Sequence, residues 1–462
     1  MTMATLSTCA TCAISCHCGA HQQTVEPRIS HVDGAKSLDI SVCHCYACRH
    51  VSGQMFASWV GIEAPGGDFS MRLQNLDEYT VGQFTGLVRE EDKTEVTYYF
   101  CRTCGCHVLR SLARRHYYEK GLHHYATWQV ATGVMVREPA SRRPGFEGSP
   151  GINVPGGIKW RHVKANETKD GGLCTFLSNA AGHSIDGDAP RTTNLKPYTI
   201  PNTLQILSTD KDELKATCHC GNITLGIRRP YNPEYDEFST VGPRSNFPDL
   251  MYPYKSTPES VISNPDNVKW WLTSQGPSTG GLPTRYLAGT CACRSCRLTS
   301  GFEIQSWAFI PRENIRISVP LVFRNATGAD GEEAAKQPLR SYESSPGVIR
   351  EFCPGCGATV FWHDKSRPDL IDVSVGLFRF PGDSDDNPQT RAEVAGSGDG
   401  ARHESWLDWW TDRVSFAEDA ALDRAGFCSL MGKELVGELE KGLKEVGGKS
   451  QALADEEEGS DT

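Results

Sequence analysis

Short runs in which β-branched and aromatic residues alternate with polar ones recur along the chain, whereas long amphipathic stretches are rare. Glu95–Phe100 (EVTYYF), Ala308–Pro311, Ala358–Trp362 (ATVFW) and Leu370–Val375 (LIDVSV) each read as a strand. One segment has a helical period: Leu435, Leu439, Leu443 and Val446 set an apolar stripe on a helix over Lys433–Val446. After Ala454 the chain turns acidic (DEEEGSDT), the composition of a solvated, disordered tail. The pattern predicts a mainly β protein with long irregular loops and a C-terminal helix.

The chain also repeats itself. Cys16-His17-Cys18-Gly19 returns as Cys218-His219-Cys220-Gly221. Cys43-His44-Cys45-Tyr46-Ala47-Cys48-Arg49, with Ser52-Gly53 and Ser58-Trp59 after it, returns as Cys291-Ala292-Cys293-Arg294-Ser295-Cys296-Arg297, with Ser300-Gly301 and Ser306-Trp307. The offset is 291 − 43 = 248, and it holds without a gap to the tryptophans. Phe100-Cys101-Arg102-Thr103-Cys104-Gly105 matches Phe352-Cys353-Pro354-Gly355-Cys356-Gly357 at offset 252, and a Leu-x-x-Tyr precedes each, as Leu76 with Tyr79 and Leu339 with Tyr342. Seven ordered cysteines occur twice, so two tandem copies of one domain are expected.

On this basis residues 12–177 are expected to form a first cysteine-rich domain and 178–210 a linker. Residues 211–430 form a second domain with a Pro- and aromatic-rich insertion over 228–288, and 431–462 hold the helix and acidic tail. The insertion carries nine prolines and nine aromatics, among them Trp270-Trp271, and is expected to pack as an ordered loop on its own domain.

Composition narrows the function. No apolar run reaches the roughly 18–20 residues that span a bilayer, so no membrane partner is expected. Lys plus Arg is 47 and Asp plus Glu is 57, a formal charge of −10 with no basic arm, which disfavours nucleic acid. Met1–Ser15 have neither the basic start nor the apolar core of a secretory signal. The nineteen cysteines are therefore expected to be reduced, in the cytoplasm with nuclear access open, and clustered reduced thiols usually bind metal.

Zinc takes four thiolates tetrahedrally when its role is structural. A CxC and a CxxC turn each converge two sulfurs, so Cys16 and Cys18 with Cys101 and Cys104 are expected to close one site. Cys218, Cys220, Cys353 and Cys356 are expected to close its counterpart. That leaves Cys43, Cys45 and Cys48, and Cys291, Cys293 and Cys296: two triads, each a zinc with an open fourth position for catalysis, a second structural zinc closed from elsewhere, or an empty thiol cluster. The count is two zincs per domain and four per chain. Arg49 and Arg297 follow the triads and either hold a substrate carboxylate or offset thiolate charge. His44 has Ala292 as its counterpart, so no shared mechanism needs it. His17 and His219 are expected to point away from metal, and His123-His124 to be surface residues. Cys9, Cys12, Cys106, Cys174 and Cys428 have no counterparts and read as free thiols.

With these motifs in place, each copy resembles the family of glutathione-dependent formaldehyde-activating enzymes and centromere protein V, whose signature is CHCG, CxCxxCR with Ser-Gly, then FCxxCG. The resemblance covers roughly 12–135 and 214–380, in a fungal-type tandem arrangement. It implies a β-tent zinc fold, a structural zinc on the outer turns and a catalytic zinc on the middle motif. It also implies a carbon–sulfur lyase that joins glutathione, or another small thiol, to a small aldehyde, as in S-(hydroxymethyl)glutathione synthase. Two alternatives are a zinc-stabilised binding module, as in the centromere-associated branch, and thiol-adduct chemistry on a larger electrophile.

Overall fold

The computed structural model describes residues 11–32, 35–63, 73–83, 94–118, 121–136, 157–177, 180–186, 213–230, 269–274, 283–317, 339–365, 367–380 and 399–460. It is mainly β, in two sheet-rich halves. The expected strands are present as Thr94–Cys101, Gln305–Pro311, Thr359–Asp364 and Leu370–Ser374.

The larger sheet of the first half has Ala35–Cys43 paired with Ala57–Ile62, then Gly121–Ala131, His107–Tyr118, Thr94–Cys101 and Leu76–Gln83 in spatial order. The second half repeats that order with Pro283–Cys291, Gln305–Pro311, Leu370–Ser374, Thr359–Asp364, Val348–Phe352 and Arg340–Ser345. Each sheet also takes a parallel strand on its first member: Ile158–Val163 on Ala35–Cys43, and Leu407–Trp409 on Pro283–Cys291. His183–Ile185, inside the segment read as linker, extends the first sheet beyond Ile158–Val163. Most of the insertion over 228–288 lies outside the described residues; Trp270 and Trp271 within it bury against Leu287 and Leu370.

In both halves a short helix leaves the first strand at the cysteine motif: Tyr46–Ser52 and Arg294–Ser300. Cys45 and Cys293 are the N-caps, each accepting from the backbone N–H three residues on. Gly53 and Gly301 end the helices at φ 78° and 91°, the left-handed C-cap conformation that glycine adopts without a Cβ penalty. Both glycines also touch the other half. A Cβ on Gly53 would sit 2.2 Å from the Thr359 carbonyl oxygen, and one on Gly301 2.0 Å from that of His107.

The C-terminal helix covers Gly426–Ser460, well beyond the apolar stripe of 433–446. It starts early because Phe427 and Met431 join the buried face with Leu435, Val436, Leu439 and Leu443. At its other end it continues through the acidic residues that composition assigned to a disordered tail. Gly442 lies against the Phe176 carbonyl of the first half, where any side chain would collide.

Candidate functional site

Four groups of cysteine sulfurs form where strands end. Cys16 and Cys18 stand on a turn closed by Gly19 (φ 72°), and Cys101 and Cys104 on one closed by Gly105 (φ 77°). The sulfurs lie 3.5 Å apart from Cys16 to Cys18 and 3.5 Å from Cys18 to Cys101. In the second half Cys218–Cys220 and Cys220–Cys353 are each 3.4 Å and Cys218–Cys353 is 3.8 Å. Ligands about 2.3 Å from a tetrahedral zinc stand roughly 3.8 Å from one another, so each foursome has the spacing and the donor set for that ion. Backbone N–H groups of His21 and Ile223 donate to Cys16 and Cys218, as they would to thiolates.

The triads lie at the junction of the first strand and the short helix. Cys43, Cys45 and Cys48 converge in one half, and Cys291, Cys293 and Cys296 in the other, with all sulfurs of a group within 4.8 Å. Among the described residues no histidine or carboxylate joins either group of three. All three cysteines of the first triad are buried; in the second, Cys293 is half-buried. Hydrogen bonds from Cys43 and Cys45 hold the Cys48 thiol well below the ordinary range, with Arg110 and Tyr98 adding to the effect. Hydrogen bonds from Cys291 and Cys293 do the same for Cys296, aided by Arg350.

These two arginines are the functional residues that the sequence did not single out. Arg110 Nη1 is 3.7 Å from Cys48 Sγ, and its guanidinium stacks 4.5 Å over Trp59. Arg350 Nη2 is 3.4 Å from Cys296 Sγ. Arg49 and Arg297, which follow the triads directly, turn to backbone carbonyls. Arg49 Nε donates to His44 O, and Arg297 donates to Gly133 O across the boundary between the halves and to Leu422 O within its own half. Both are fully buried.

His17 and His219 stand outside the foursomes and bond to tyrosines of the opposite half, Tyr342 and Tyr79. His44 instead heads a row of imidazoles, with Nε2 2.8 Å from His162 Nδ1 and His162 Nε2 2.8 Å from His183 Nδ1; Cys174 lies beside the first two. Cys12 and Cys428 bring their sulfurs to 3.3 Å, and Cys106 is buried without joining a foursome. Cys9 and the side chains of His123 and His124 lie outside the described residues.

No helix of the described residues is long and apolar enough to cross a membrane. No curated protein and no solved structure matches the chain. Residues 283–394, which contain the second triad together with Cys353 and Cys356, match the family model of the glutathione-dependent formaldehyde-activating enzyme.

Proposed function

We propose that the chain is a zinc-dependent carbon–sulfur lyase built from two tandem copies, acting on the adduct of glutathione or another small thiol with a small aldehyde. The observation that carries this reading is the second triad: three convergent sulfurs, one of them half-buried, inside the segment that matches the family model. Zinc held there supplies Lewis acidity toward a thiol sulfur and a carbonyl oxygen. In the synthetic direction the thiol sulfur forms a bond to the carbonyl carbon, and the thiol proton ends on the oxygen. The chain's own part is to hold and shield. Cys291, Cys293 and Cys296 provide the ligands, Trp307 and Trp362 pack against them, and Arg350 offsets their charge. The two foursomes would hold structural zinc, giving four ions per chain. The buried first triad is the less accessible, so turnover is assigned to the second. Because every step needs reduced thiols, we place the protein in the cytoplasm.

A second reading, an electrophile larger than formaldehyde, is favoured by Trp362, a half-buried indole that packs with Cys293 against the cluster of Cys291, Cys296 and Trp307. Zinc content combined with turnover of a panel of glutathione–aldehyde adducts tests both. Preferred cleavage of the hydroxymethyl adduct favours the first, preferred cleavage of aromatic or long-chain adducts the second. Zinc-loaded protein that turns over none of them contradicts the lyase.

A further inference from the structure

We propose that Arg350 forms an anion subsite at the second triad, with Nη1 receiving a negatively charged oxygen of the ligand. This rests on the reading of that triad as the site that accepts a thiol.

Arg350 is 3% exposed, and two of its three nitrogens are accounted for. Nε donates to Ser344 Oγ at 3.2 Å and Nη2 faces Cys296 Sγ at 3.4 Å. Nη1 is buried with no partner among the described residues. Buried donors are nearly always satisfied, and a guanidinium donor prefers an anionic oxygen held in its plane. Nη1 and Nη2 share one carbon, so an acceptor on Nη1 stands beside the triad.

The first half shows what the position requires and what is special to the second. Tyr98 pairs across its sheet with Arg110, and Arg350 pairs with Trp362. At the offset of 252, Tyr98 corresponds to Arg350 and Arg110 to Trp362. The guanidinium has changed strands, yet in both halves it reaches the third cysteine of the triad. In the first half the remaining space is filled by the Tyr98 hydroxyl, 3.2 Å from Cys48 Sγ, and Arg110 Nε is tied to Gln129 Oε1 at 2.5 Å. Charge balance for the thiolates is thus common to both triads, whereas the unpaired donor belongs to the second.

The anionic oxygen could be a carboxylate on the thiol or the oxygen of the aldehyde it has added to. Both are read on cobalt-substituted full-length chain carrying Cys45→Ser, as the change in thiolate–cobalt absorption on adding a thiol: the two four-cysteine groups give a constant background, and only the second triad has a place for a further ligand. Mercaptoacetate binding at least 10-fold more tightly than 2-mercaptoethanol, with the preference lost in Arg350→Met at unchanged cobalt content, assigns the subsite to a thiol carboxylate. Tightening of 2-mercaptoethanol by at least 10-fold on adding formaldehyde, again only with Arg350 present, assigns it to the aldehyde oxygen. Arg350→Lys, which keeps charge but not reach, should retain cobalt and weaken either preference, and it replaces the methionine variant if that fails to fold. Preferences that are absent, or that survive Arg350→Met, overturn the proposal, and so does loss of cobalt from the second triad in both variants. Cobalt that responds to no thiol at all contradicts the open-site reading itself, a result distinguishable from equal response to every thiol.

Discussion

The Tyr342 hydroxyl lies 2.8 Å from Nδ1 of His17, the residue between two cysteines of the first foursome. Its reciprocal is Tyr79, whose hydroxyl lies 2.9 Å from Nδ1 of His219 between Cys218 and Cys220. Backbone contacts repeat the exchange: His17 N–H donates to Leu298 O and His219 N–H to His50 O. Each cysteine turn is therefore braced by the other half, in the self-complementary manner of a two-fold interface. A half-buried hydrogen bond of this kind is worth about 1 kcal/mol net. Tyr342→Phe and Tyr79→Phe are each expected to lower unfolding stability by about that amount, measured by urea denaturation.

The helix-ending glycines set a tighter constraint. Alanine at Gly53 or Gly301 meets a left-handed backbone, which costs roughly 1–2 kcal/mol, and a carbonyl of the other half in addition. Either substitution should lower the melting temperature well beyond the effect of Gly82→Ala, where a Cβ has open space. Equal effects at the three positions would show that the halves do not press together there.

The two kinds of cysteine group should respond differently to loss of a ligand. Structural zinc binding is itself folding free energy. Cys101→Ser or Cys353→Ser should therefore melt its half and release metal, read by circular dichroism with metal analysis. Cys293→Ser should leave the fold largely intact and lower zinc from four to three equivalents.

Burial pushes the His107 imidazole down to about 4, and its Nε2 faces the Val51 carbonyl at 3.1 Å. The folded chain therefore keeps His107 neutral, while the unfolded chain protonates it near the ordinary value of 6.5. The unfolded state binds the extra proton, so stability is intact above pH 6.5 and is lost as pH falls toward 4. At pH 5 this one residue accounts for about 2 kcal/mol. The urea midpoint should fall from pH 7 to pH 5 in the wild type and fall less in His107→Gln.

Much of the site was legible because cysteine arithmetic is restrictive. Seven sulfurs per half divide into a tetrahedron and a triad in few ways, and the foursomes join the turns that arithmetic pairs. The arginines at the triads were not legible. Arg110 and Arg350 stand on strands at different places in the order of their sheets, and only the strand register places both guanidiniums opposite the third cysteine. The strand His107–Tyr118 (HVLRSLARRHYY) was hidden by its charges, since Arg110 is buried for the sake of the triad rather than left on a polar face. The C-terminal helix outran its apolar stripe because Phe427 and Met431 are buried by tertiary packing, and an i, i+4 pair such as Glu440–Lys444 helps carry it onward.

The account stands on the second triad being a working zinc site. Formaldehyde release from S-(hydroxymethyl)glutathione by zinc-loaded full-length chain, compared with its Cys293→Ser and Cys45→Ser variants, tests that most directly. The expected result is acceleration over the uncatalysed rate that Cys293→Ser abolishes and Cys45→Ser largely preserves. Acceleration that survives Cys293→Ser, or none at all from fully zinc-loaded wild type, would contradict it.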